Sequence, residues 1–166
     1  MNLLLAQVFA FLSSSCLLIS FWQRKRIKIL FFQILDSAFD IIQYTLLGAY
    51  TGSLISLLGA TRAYTFSKTN NKYFLFLFLL LYIIASLITF DGVISFIPLI
   101  AALVYTIVTW NKKEKNIRLF SILVFILWFI YDILVKAYVS SITDIVLVVS
   151  NFIAFYKLDL KNKSLK

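Results

Sequence analysis

The chain has 166 residues, 62% of them hydrophobic and only 14% charged, with 17 Phe, 9 Tyr and 3 Trp. That balance excludes a soluble domain, and apolar runs of about 20 residues without alternation exclude a membrane β-barrel. The net charge of +9 falls in short segments between the apolar runs, where it signals membrane topology and not nucleic-acid binding.

The expectation is an all-α polytopic membrane protein with seven spans, near 2–22, 29–48, 50–67, 73–90, 93–110, 117–136 and 138–156. The first span has no basic residue before it and QRKRIK after it at 23–28. A signal peptide has the opposite polarity, so this reads as an uncleaved span with its N-terminus outside.

Span 2 contains ILDSAFDIIQ, residues 34–43. On insertion scales each ionised Asp near a helix centre costs roughly 3 kcal/mol, so Asp36 and Asp40 need partners, water or a task. On a helix, Gln33, Asp36, Asp40, Gln43 and Tyr44 share one wedge of about 120°. Such a stripe faces a cavity or a neighbouring helix. Asp36 lies eight residues beyond Lys28, about 12 Å from the edge of the span. Asp40 has no cation at its depth. Either it takes up and releases a proton, or it stays protonated against Gln43 or Tyr44.

Arg62 in span 3 lies about 9 Å inside the edge, a depth at which it can meet Asp36. It reads either as a structural ion pair or snorkelling arginine, or as a charge that binds substrate. Gly52, Ser56, Ala60 and Ala63 form a small-residue ridge for close helix packing. Span 4 is almost wholly apolar. Span 5 carries Pro98, the only proline, which is expected to remove a helical hydrogen bond and act as a hinge. Asp132 and Lys136 in span 6 stand at i,i+4 and can pair. Span 7 places Asp144 about 9 Å deep, with Asn151 two turns further on.

Fourteen of the sixteen Lys and Arg lie on one side of this arrangement: Arg24, Lys25, Arg26, Lys28, Lys68, Lys72, Lys112, Lys113, Lys115, Arg118, Lys157, Lys161, Lys163 and Lys166. Lys136 lies on the other side and Arg62 within a span. The positive-inside rule then puts the C-terminus in the cytoplasm. Shifting the chain by 88 residues lays Trp22 on Trp110, Ile29 on Ile117, Ala49-Tyr50 on Ala137-Tyr138 and Ser53 on Ser141. The implied layout is a single transmembrane domain in a parallel 3-1-3 repeat: 1–68, a linker helix at 73–90, and 93–157, followed by a cytoplasmic tail at 158–166. Substrate sites in repeats of this kind lie between the halves near mid-membrane.

The segments QRKRIKILFFQ at 23–33 and YTLLGAYTGSLISLLGATRAYTF at 44–66, with AQ at 6–7, resemble the YgjV-type bacterial inner-membrane proteins. The resemblance covers most of the chain and implies the cytoplasmic membrane. The 3-1-3 layout is similar to that of the SWEET and PQ-loop transporters, although Pro98 is followed by Leu99 and the Pro-Gln pair is missing.

These observations lead to an expected small secondary transporter or facilitator of a small polar solute, with proton coupling as an option. Its pocket would be lined by Gln33, Asp36, Asp40, Gln43, Arg62, Asp144 and Asn151, with Pro98 as hinge. The alternative is a non-transporting scaffold or assembly partner, in which the buried charges only pair helices. The bilayer is the expected environment, a homo-oligomer is possible, and nucleic acid is not a partner. An enzyme is not expected. With no His and one cysteine, Cys16, the chain offers no evident metal set or catalytic pair, and no cofactor is expected.

Overall fold

A computed structural model describes residues 3–69, 71–111 and 113–160. Among them are seven α-helices: α1 (Leu3–Phe21), α2 (Arg26–Leu47), α3 (Tyr50–Lys68), α4 (Lys72–Ile88), α5 (Phe96–Trp110), α6 (Glu114–Leu134) and α7 (Tyr138–Phe155). Five segments are long and apolar enough to cross a membrane: Leu3–Phe21, Arg26–Leu47, Gly92–Trp110, Glu114–Leu134 and Tyr138–Leu160. The α3 helix is diluted by Arg62 and by small and hydroxyl residues, and α4 is apolar but only 17 residues long. The outward faces carry large apolar side chains such as Phe11, Phe76, Leu87 and Phe152. Such faces suit a lipid environment and would aggregate in water.

Two element boundaries differ in detail from those expected. The α5 helix begins at Phe96 after a 3₁₀ turn at Gly92–Ser95, so Pro98 lies in its first turn. Pro98 therefore follows the junction of the 3₁₀ turn with α5, where its missing N–H leaves a carbonyl of the preceding turn without that donor. After α7 the chain continues in a π turn over Tyr156–Leu160, so the first residues of the expected tail are ordered against the bundle. Lys112, Lys161, Lys163 and Lys166 lie outside the described residues.

Hydrogen bonds between helix termini define two ends of the bundle. At one end Arg26 donates to the carbonyls of Phe66 (2.9 Å) and Thr109 (3.1 Å), closing the C-terminal turns of α3 and α5. At the same end Arg118 makes a bidentate pair with Asp159 (2.6 and 2.8 Å) and donates to the Gln23 carbonyl (3.3 Å). This is the basic end. The α2–α3 and α6–α7 turns lie at the opposite end.

Those two turns share one geometry. After α2, Gly48 is left-handed (φ 74°), with its N–H on the Thr45 carbonyl and the Ala49 N–H on the Tyr44 carbonyl. After α6, Lys136 is left-handed (φ 63°), with its N–H on Ile133 and the Ala137 N–H on Asp132. Both are Schellman closures, in which a left-handed residue lets the last carbonyls find donors. Glycine enters that conformation freely, and lysine does so at a cost. The 88-residue spacing also relates the starts of α2 and α6, where the Lys25 and Lys113 carbonyls accept equivalent bonds.

Helix α1 packs on α2 and α7, while α5 packs on α6 and α3; α2 meets α3, α6 meets α7, and α4 lies against α3 and α5. One core cluster joins Leu30, Ile55, Phe66, Phe78, Tyr82 and Ala102, and a second joins Phe21, Ile29, Val108, Ile117, Phe125 and Leu147. Between these apolar clusters the polar residues of the spans converge.

Candidate functional site: a polar cavity inside the bundle

All seven helices contribute to a cavity of about 100 Å³. Roughly 10–15 Å³ of such space holds one water, so it has room for several waters or a small solute. Of the residues expected there, Gln33, Asp36, Asp40, Arg62 and Asp144 line the wall together. They reach it because α2 presents its polar stripe inward while α3 and α7 bring Arg62 and Asp144 from either side.

Ser13 of α1 sits between two carboxyls. Its hydroxyl lies 2.7 Å from Asp36 Oδ1 and 2.5 Å from Asp40 Oδ1. One hydroxyl carries one proton and can donate to one carboxylate. The second short contact is a hydrogen bond only if the other carboxyl holds a proton and donates it to Ser13 Oγ. Both contacts are therefore hydrogen bonds when at least one of the two carboxyls is protonated.

The expected Asp36–Arg62 ion pair is not formed. Arg62 donates to Thr106 Oγ1 (3.1 Å), and its guanidinium lies over the rings of Tyr105 (5.0 Å) and Tyr82 (6.0 Å). Gln33 donates to the Tyr105 hydroxyl, so Tyr105 stands between the α2 stripe and the arginine. Aromatic faces and a hydroxyl hold the cation in place of a carboxylate. Among the described residues the ion pair found is Arg118–Asp159.

Three other expectations are also corrected. Asp132 does not pair with Lys136, because α6 ends at Leu134 and Lys136 leaves the helical path. Asp132 instead accepts from the Tyr44 hydroxyl at 2.7 Å, 88 positions away in the chain, and lines the cavity. Gln43 is fully buried behind the cavity wall and donates to Ser140 (2.6 Å). Asn151 is not in the cavity: its amide donates to the Arg118 carbonyl and braces the basic end.

Ser13, Tyr82, Tyr105 and Trp128 also line the cavity but were not singled out from the sequence. Hydroxyls and aromatics inside apolar spans carry no depth or facing signal of their own.

Several buried polar atoms of the wall have no protein partner: Gln33 Oε1, Arg62 Nε, Tyr82 Oη and Asp144 Oδ2. An unsatisfied buried polar group costs about 1–3 kcal/mol. All four belong to residues that line the cavity. Among the described residues, no three carboxyl or thiol groups come close enough to hold a metal ion.

A family model described as "Imp-YgjV: Bacterial inner membrane protein" matches residues 4–162. The chain belongs to this family, and its apolar helices fit a multi-pass location in the inner membrane. No curated protein and no solved structure matches it.

Proposed function

We propose that this Imp-YgjV chain is a small transporter or facilitator that carries a small polar solute across the inner membrane. The observation that carries the reading is the cavity at the centre of the bundle, whose lining includes Gln33, Asp36, Asp40, Arg62 and Asp144. A scaffold would favour a dry seam with its charges paired, because each unsatisfied group weakens it.

In this reading the seven helices all cross the membrane, as two triplets, α1–α3 and α5–α7, joined by α4. Three features support the triplets. The Gly48 and Lys136 turns match. Each triplet packs in the same order, and the contact of α1 with α7 answers that of α5 with α3. Tyr44 and Asp132 stand at corresponding positions and meet each other, as residues beside a two-fold axis do. Rocking of one triplet against the other would expose the cavity to each side in turn.

The carboxyl proton shared through Ser13 makes proton coupling part of the proposal. Asp40, half-buried beside the solute space, is the group that would release it.

Purified protein in liposomes, with an imposed pH gradient and a panel of labelled polar solutes, tests the reading. The expected result is saturable uptake of one solute class that collapses with the gradient. Empty-liposome rates across the panel would sink the transport reading. Gradient-independent uptake, or unchanged gradient dependence in Asp40→Asn, would sink the coupling alone.

A further inference from the structure

The charge inventory of the cavity is unequal. Asp36, Asp40, Asp132 and Asp144 all line it, against the single cation Arg62. Even with one proton held between Asp36 and Asp40, three further carboxyl groups share the wall with one guanidinium. That guanidinium is already engaged by Thr106, Tyr105 and Tyr82. A buried carboxyl without a cation avoids the cost of ionisation by holding its proton, and a bound cation favours the ionised form that pairs with it.

The wall beside the acids is aromatic. Tyr44 and Trp128 stack at 5.7 Å with a 23° interplanar angle, and both line the cavity. Tyr44 also donates to Asp132, which ties the aromatic face to a carboxylate. Asp144, 6% exposed, has its Oδ2 unpartnered. Carboxylates beside aromatic faces recognise ammonium groups, through charge and through the ring quadrupole. The acids do not gather tightly enough to ligate a bare metal ion.

We propose that the cavity takes a small organic ammonium ion, its charged nitrogen held by Asp144 and its neighbouring carboxylates against the Trp128 and Tyr44 rings. The inference rests on the transport reading in treating this cavity as the solute site, and it names the solute class.

The test is calorimetric binding to the full chain in lipid nanodiscs, with n-propylammonium, zwitterionic β-alanine and neutral glycerol as probes. Saturable binding of n-propylammonium at least tenfold tighter than that of the other two is expected. Asp144→Asn should weaken it tenfold or more, Asp144→Glu should recover part of the loss, and Glu114→Gln, outside the cavity, should bind as the parent does. Should Asp144→Asn fail to fold, Trp128→Leu is read instead, with an expected loss of severalfold. Equal binding of the three probes, no binding by folded protein, or undiminished binding in the folded variant would overturn the proposal. Ammonium binding without flux would overturn the transport reading and leave this inference standing. Flux of β-alanine or glycerol without ammonium binding would do the reverse.

Discussion

Lys136 occupies a backbone conformation that glycine holds at Gly48 in the matching turn. A left-handed L-residue costs about 1–2 kcal/mol, part of which glycine returns as greater freedom in the unfolded chain. Lys136→Gly should therefore leave stability unchanged or raise it by up to about 1 kcal/mol. Gly48→Lys should lower it by about 1 kcal/mol through backbone strain, since nothing lies within 4 Å of a Cβ built there. Denaturant titration in mixed micelles measures both. Ser13 offers a second test at this scale. Ser13→Ala leaves two carboxyl oxygens without their hydroxyl and should cost about 1–3 kcal/mol. An amide at position 40 can donate to Ser13 as a protonated carboxyl does, so Asp40→Asn should cost less than Ser13→Ala. The reverse order of thermal unfolding temperatures would mean that the shared-proton arrangement is wrong.

Between elements, the α3–α6 contact is made by Gly52 in the first turn of α3. Its N–H donates to the Tyr131 hydroxyl at 3.0 Å, which satisfies an N-terminal donor from across the bundle. A Cβ built there meets the Tyr131 and Tyr44 rings at 3.0 Å. Gly52→Ala should push these rings apart and cost about 1–3 kcal/mol by overpacking, read as a lower unfolding temperature. At the basic end, Arg118 and Asp159 are 4% and 11% exposed at their side chains. Removing the acid leaves a mostly buried cation, so Asp159→Asn should destabilise by about 3 kcal/mol. Asn151 and Gln23 hold the same arginine through backbone contacts, and this binds the ends of α1, α6 and α7 together.

At the scale of the molecule, hydrogen bonds link α1–α3 to α5–α7 on both sides of the cavity. Tyr44–Asp132 and Gln43–Ser140 lie toward the turn end, and Trp22–Ser150 and Arg26–Thr109 toward the basic end. Any opening must exchange one of these sets for water. The basic end is expected to face the cytoplasm by the positive-inside rule. A fluorescent protein fused after Lys166 should fold and fluoresce, and alkaline phosphatase fused at the same place should be inactive. An active phosphatase would reverse the orientation.

Membrane class, helical architecture and most helix boundaries were readable from the sequence alone, because hydropathy and length act on each segment independently of the others. The inward stripe of α2 was readable too, since periodicity orients a helix before its neighbours are known. The correspondence of Ala49-Tyr50 with Ala137-Tyr138 was visible in the sequence, and the shared geometry of the two turns there came only from the structure. The pairing of polar groups was decided only in the tertiary structure. Asp36 met Ser13 and not Arg62, Asp132 met Tyr44 and not Lys136, and Asn151 met the Arg118 backbone and not the cavity. A hydrogen bond requires donor and acceptor within about 3 Å, whereas depth along a helix locates a residue only to within a turn. Which of several polar groups at one depth come together depends on how the helices are rotated and packed against each other, and that packing is a property of the assembled bundle.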